Sequence, residues 1–334
     1  MAVVAPTSRT VSSRGALLLA GLMLVAALGL RLVDPQRVAW VRTYFVIFGS
    51  LLVQALPFVM IGAAAASMVE VFVPIGTLEK LGRLPRPLQL PAAALAGLAF
   101  PICECGSVPV ARRLAQRGLM PSAAVTFMLA APILNPVVVA STYFAYRGRS
   151  TQWTMIGGRF LLGFLVAIAV GWLVGGRSTD ELLKPNPEEA HEHLTELGRP
   201  EARWRRFFVH LGNDFLFMGR YMILGATVAA AIQTFLPTSL LTGVAGVPVV
   251  SLLVMMSLAG VLSLCSESDA FVAASFVQFG PSAQLAFLVF GPMIDLKLLA
   301  LYGGTFRRGF VRAVLFGVTT TTLVGTLWAG VLFG

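Results

Sequence analysis

The cysteines are where the chemistry concentrates. A chain of 334 residues holds three of them, and all fall in two short polar runs: Cys103-Glu104-Cys105-Gly106-Ser107 and Cys265-Ser266-Glu267-Ser268-Asp269. Thiolates bind soft centres such as Cu(I), Zn(II) or trivalent metalloids. Cys103 and Cys105 are too close in sequence for an easy disulfide. Brought together, Cys103, Cys105 and Cys265 would offer two or three sulfurs as metal ligands to one thiophilic metal or metalloid ion, handled as substrate. The competing reading is that a buried cysteine is a small, inert core filler.

Carboxylates flank those cysteines. Glu104, Glu267 and Asp269 are candidates for coupling, because ionisable groups at membrane depth are expensive and mark function. Asn135 and Asp295 each stand three residues after a proline, Pro132 and Pro292. Proline frees a carbonyl one turn back, so each pair makes a polar notch in an apolar helix, fit to line a substrate path. Ser107 and Ser268 are expected to cap the half-helices that follow the two cysteine breaks, and they join the substrate-lining set. Lys297 lies two residues from Asp295, off its helical face, and is expected to snorkel or pair elsewhere. Asp214 and Arg220 read as braces, Arg112 and Arg113 as topology anchors, and His191-Glu192-His193 as part of a solvated loop. No Cys-x-x-Cys, His-Glu-x-x-His or Gly-x-Ser-x-Gly occurs, nor a phosphate-binding Gly-rich lysine loop. A catalytic set, a resident cofactor and ATP coupling within this chain are therefore not expected.

Composition says what must position these groups. Hydrophobic residues make up 57% and charged residues 12%, with a mean hydropathy of +0.83. Soluble domains carry about twice that charge, and too little polar surface remains here to coat a globule. The apolar runs are continuous and of helical spanning length, without the alternation of a membrane barrel. The fold class is all-α, a polytopic helical membrane protein embedded in the lipid bilayer. The net charge of +10 sits in connectors between apolar runs, as the positive-inside bias requires; no nucleic-acid partner is implied, and a homo-oligomer is allowed.

Spans are expected at 15–30, 43–73, 121–146, 153–175, 207–236, 281–303 and 310–332. The run 91–102 is too short to cross. The chain also repeats itself. Pro121-Ser122-Ala123 recurs as Pro281-Ser282-Ala283, and in the same register Phe127 meets Phe287, Pro132 meets Pro292, Asn135 meets Asp295 and Cys105 meets Cys265. One small indel upstream, Gly62 meets Gly225. The organisation expected is an N-terminal segment with a first transmembrane helix (1–42), repeat 1 (43–176), a cytoplasmic linker (177–206) and repeat 2 (207–334). Basic residues flank the first cysteine motif on both sides, while the connectors of the second are uncharged. That bias makes each motif a re-entrant hairpin of two half-helices and inverts the second copy. The alternative is that the cysteine segments cross, with parallel copies and nine spans.

The run from Pro101 to Leu114, PICECGSVPVARRL, followed by Ala123 to Pro136, AAVTFMLAAPILNP, resembles a known group. It is similar to the bacterial predicted permeases that include the organoarsenical efflux permeases (ArsP-like, also termed UPF0718). Cys265-Ser-Glu-Ser-Asp-Ala-Phe-Val-Ala273 and Gly291-Pro-Met-Ile-Asp-Leu-Lys297 agree with it, and the likeness covers roughly residues 40–334. Membership implies an inner-membrane transporter, with efflux of trivalent organoarsenicals in one branch and copper or zinc efflux in another. The resemblance puts Cys103, Cys105 and Cys265 at the motif positions for a thiophilic substrate. Where the arsenical branch carries a Thr-Pro-Gln-Thr-Gly type of run, this chain has Ala131-Pro132-Ile133-Leu134-Asn135-Pro136, so Asn135 inherits no role from it. The leading expectation is export of a soft metal or metalloid species. The alternatives are a membrane-embedded thiol enzyme and a membrane scaffold for a soluble partner.

Overall fold

Proline both starts and interrupts the helices of this chain, and the interruptions fall where the polar residues are. The computed structural model describes residues 39–72, 85–99, 102–176, 178–184, 203–235 and 248–333. The expected first span at 15–30, the His191-Glu192-His193 stretch and most of the expected linker lie outside the described residues. The helices are α1 (Ala39–Phe72), α2 (Arg86–Ala96, continued by a 3-10 turn, Gly97–Ala99), α3 (Glu104–Gln116), α4 (Pro121–Leu134), α5 (Pro136–Ala145), α6 (Gln152–Val174), α7 (Thr179–Leu182), α8 (Arg203–Phe235), α9 (Pro248–Leu262), α10 (Asp269–Ser275), α11 (Pro281–Phe290), α12 (Leu296–Thr305) and α13 (Arg308–Phe333). Among the described residues there is no strand beyond one isolated bridge, Leu183 to Phe306.

The chain is a polytopic helical membrane protein. Five stretches are long and apolar enough to cross a bilayer: Ala39–Phe72, Pro121–Ala145, Gln152–Val174, Arg203–Phe235 and Arg308–Val331. They fall on five of the expected spans. The expected span at 281–303 is present as two half-helices, α11 and α12, each too short to cross alone.

Element order is the same in α1–α6 and α8–α13. Each series runs long helix, short helix, cysteine break, short helix, helix interrupted after a proline, long helix. The middle of each series is buried. From Ser122 to Leu134 every residue of α4 is buried, as is every residue of α11 from Ala283 to Phe290. A helix apolar all round belongs inside a bundle. Accordingly α4 packs among α2, α3 and α6, and α11 among α6, α9 and α13. The long helices α1 and α8 pack on each other and close the third side, against α3 and α12.

The first cysteine segment has both flanks at one end of the bundle. At the start of α2, Arg86 lies against Gly176, just past the end of α6; a Cβ added to Gly176 would meet its guanidinium at 2.7 Å. At the end of α3, Arg113 pairs with Asp214 at 3.0 Å and with Glu70 at 3.5 Å, and Arg117 pairs with Glu70 at 2.7 Å. Arg112 donates to the Lys184 carbonyl at 3.4 Å. Arg112 and Arg113 are thus buried members of a network joining α1, α3 and α8. Asp214 braces α3 instead of acting with Arg220, whose guanidinium stacks over Phe217 and Tyr221 at 4.6 and 5.3 Å. At the far end of α6, the Tyr146 hydroxyl donates to Gln284 Oε1 at 2.9 Å, and Gln284 Nε2 donates to the carbonyls of Phe276 and Phe279, both at 3.0 Å.

Candidate transport site

Each cysteine break ends on a residue with extended backbone or in a tight turn, followed by a helix whose first turn carries an acid. Cys103 is extended (φ −77°, ψ 175°) and precedes α3, whose first residue is Glu104. A carboxylate in a first turn faces the positive end of the helix dipole. The helix therefore begins three residues before Ser107, which corrects the expected cap: the Ser107 hydroxyl donates to its own turn, to the Glu104 carbonyl at 2.9 Å. Ser268 does occupy the N-cap position of α10, but its side chain caps nothing. It donates to the Cys265 carbonyl at 3.0 Å and accepts from Gln54 Nε2 at 2.9 Å, so it ties the second break to α1.

The proline interruptions behave alike. Asn135 ends α4 and caps α5, its Oδ1 accepting from the Val137 N–H at 2.9 Å. Asp295 caps α12, its Oδ1 accepting from the Leu298 N–H at 2.6 Å. Asn135→Ala should therefore cost about 1 kcal/mol, the usual worth of an N-cap, read as a small drop in the melting temperature of the detergent-solubilised protein.

Because Asp295 sits off the helix in extended backbone (φ −140°, ψ 174°), its second oxygen turns back toward Lys297. Helical spacing alone had separated the two; the break brings them together. Lys297 does not snorkel. It is 0% exposed, with Nζ 3.7 Å from Asp295 Oδ2 and 3.9 Å from Glu104 Oε1. Glu104 is 1% exposed, and its other oxygen accepts from the Ser266 hydroxyl at 3.2 Å. Glycine permits the approach. A Cβ on Gly225 of α8 would stand 2.6 Å from the Lys297 Cα, and one on Gly106 would stand 2.9 Å from the Gly62 Cα.

All three cysteines are free and buried. The Cys105 thiol lies beside Cys103 and within electrostatic reach of Glu104 and Lys297. Cys265 is within reach of the same Glu104 and Lys297, of Cys103 and of Glu267. Among the described residues, no three His, Cys, Asp or Glu side chains are already grouped as a metal-holding shell. The half-buried Glu267 faces Glu104, Arg159 and Lys297.

Asp269 has a partner that the sequence reading missed. Arg159 of α6 is buried, and its Nη2 reaches Asp269 Oδ2 at 2.8 Å and the Ser266 carbonyl at 3.1 Å; its Nη1 donates to the Thr142 hydroxyl at 2.9 Å. The signal was available: an arginine inside an otherwise apolar span. The groove between the outer faces of α1 and α8, about 460 Å³, is lined by apolar side chains and Arg220 and holds none of these groups.

A polytopic bundle with interrupted helices and buried charge at the interruptions is the architecture of a membrane transporter. The family model described as "Predicted permease" matches residues 41–333. The chain belongs to this permease family. It is 39% identical to the UPF0718 protein YcgR of Bacillus subtilis over 283 residues, covering 84% of this chain and 95% of that protein. It is 32% identical over 289 residues to a protein of Streptococcus mutans described as a putative two-component membrane permease complex subunit, covering 86% of this chain and 94% of that one. No solved structure matches it. As a multi-pass member of a bacterial permease family, the permease is a plasma-membrane protein.

Proposed function

We propose that this permease exports a soft, thiol-binding metal or metalloid species through a midplane site where the two cysteine breaks meet. The observation that carries the reading is the convergence of Cys105 and Cys265, one from each break, on one pair of buried charges, Glu104 and Lys297, with Cys103 beside both thiols. Cysteine is otherwise absent from this sequence, so three inert fillers meeting at one ion pair is the poorer account. Asn135, Ser107 and Ser268 support the site by holding the backbone at its edges; Glu267 and Asp269 stand beside it.

The reading includes two inverted repeats, 43–176 and 207–334, joined by a cytoplasmic linker. Support comes from the shared element order of the two halves. It also comes from Arg86 and Arg112, which bring both flanks of the first cysteine segment to the bundle end that holds Gly176 and Lys184. Such hairpins are tolerated at membrane depth when buried in protein. The description of the streptococcal relative as one subunit of a complex supports a second membrane component for this chain as well.

Uptake into everted vesicles tests the substrate. Cu(I), Zn(II), arsenite and methylarsenite are offered to wild type and to the Cys103→Ser/Cys105→Ser/Cys265→Ser variant. At least one of these is expected to accumulate with wild type and to fall by ten-fold or more in the variant. Equal accumulation would overturn the role of the thiols.

A further inference from the structure

Arg220 of α8 carries a charge without an opposite. Its side chain is exposed, and its guanidinium rests over the Phe217 and Tyr221 rings of its own helix at 4.6 and 5.3 Å. Among the described residues no carboxylate pairs with it; Asp214, six residues earlier, is held by Arg113 at 3.0 Å. The aromatic ends of α1 and α8 give its depth. The two helices run antiparallel, with Trp204 against Phe72 at 5.9 Å and Phe235 against Trp40 at 6.0 Å, and aromatic rings gather at the two membrane interfaces. Arg220 is sixteen residues from Trp204 and fifteen from Phe235. At about 1.5 Å per residue that is roughly 22–24 Å from either end, the middle of a bilayer about 40–45 Å thick. Leu56 of α1, sixteen residues from both Trp40 and Phe72, lies at the same level. A charge facing lipid at that depth is expensive unless it is paired. Beside it runs the groove between α1 and α8, about 460 Å³, with Leu52, Leu56, Leu216 and Ile223 among its apolar walls.

We infer that this groove seats a transmembrane helix of a second membrane protein, and that this helix carries an aspartate or glutamate at mid-depth that pairs with Arg220. Two other occupants fit worse. A lipid phosphate stands at the interface, about 15 Å from the middle of a hydrocarbon core about 30 Å thick, farther than an arginine side chain extends. A second copy of this chain brings no free acid on a spanning helix: the carboxylates of the five spanning stretches are Glu70 and Asp214, both buried and both paired with Arg113. The inference rests on the reading of a second membrane component and adds its seat and its charge.

The test uses the whole permease in proteoliposomes of zwitterionic phospholipid, with a synthetic spanning helix of leucine and alanine as probe. The probe carries one central glutamate and, one turn away, a photoreactive diazirine residue. Companion probes have leucine or lysine in place of the glutamate. The glutamate probe should crosslink to α1 and α8 beside Arg220 at least five-fold more than the leucine probe. Arg220→Leu should remove that preference, and Arg220→Glu should transfer it to the lysine probe. Thermal unfolding shows whether each variant is folded; should Arg220→Glu fail, Arg220→Leu decides. Equal crosslinking by all probes, or a preference that survives Arg220→Leu, overturns the pairing. So does displacement of the glutamate probe by phosphatidylglycerol, or a crosslink from the groove to a second copy of this chain. If a second membrane protein of the host copurifies equally with wild type and Arg220→Leu, the groove falls as its seat and the second component stands. If the glutamate probe behaves as expected but the chain purified alone transports as fast as in native membranes, the second component falls and the groove's preference for an acid-bearing helix stands.

Discussion

Arg159→Met should cost the permease about 3–5 kcal/mol of stability, because it strands a carboxylate in the bundle interior. Asp269 Oδ2 is held by Arg159 Nη2 at 2.8 Å, with side chains 4% and 2% exposed. The same guanidinium also supplies the donors for the Ser266 carbonyl and the Thr142 hydroxyl. Removing it leaves one buried charge and one buried carbonyl without that donor. Adding Asp269→Asn should return a large share of the loss, since a neutral amide no longer needs a cation. The measurement is thermal unfolding of the purified single and double variants in detergent. A double variant no more stable than Arg159→Met would mean that the pair is not the unit of stabilisation described here. The pair joins α6 of the first half to α10 of the second, so the same variant should also loosen the second cysteine break. That would appear as faster labelling of Cys265 by a membrane-permeant maleimide.

Arg159 also shows where sequence reasoning ran out. Its partner lies 110 residues away, and no local pattern announces a pairing of that range. Five spanning helices were legible because twenty apolar residues in a row leave little choice. Polar notches at Asn135 and Asp295 were legible from Pro132 and Pro292, but the full break of the 281–303 span was not. Their consequence was not: capping takes Asp295 out of the helical register, and the spacing rule that separated it from Lys297 then no longer applies. The Ser107 cap was misplaced for a related reason. Either Glu104 or Ser107 can open a helix after Cys103, and the extended backbone at Cys103, together with a first-turn acid, decides for the earlier start. The two cysteine motifs named most of the polar site. What closes it, Lys297, Ser266, Gln54 and Arg159, had to come from packing.

Gly106→Val should remove about 3 kcal/mol and disable the site together with the fold. Overpacking costs about 1–3 kcal/mol where side chains can yield. Here the neighbour is backbone, the Gly62 Cα at 2.9 Å from an added Cβ, with the Phe58 carbonyl at 3.4 Å. Neither can rotate away, so α1 and α3 must separate. Cys105 and Glu104 immediately precede Gly106, and their distances to Lys297 would change with any such separation. Gly49→Ala, on the facing helix α1, is the control. Nothing lies within 4 Å of its added Cβ, and the gain in helix propensity should stabilise by up to about 1 kcal/mol. Melting temperatures of the two variants should therefore move in opposite directions. Similar shifts would show that glycine in α1 and α3 serves helix flexibility in general. Opposite shifts would tie Gly106 to the close approach that brings the first cysteine break up to the buried lysine.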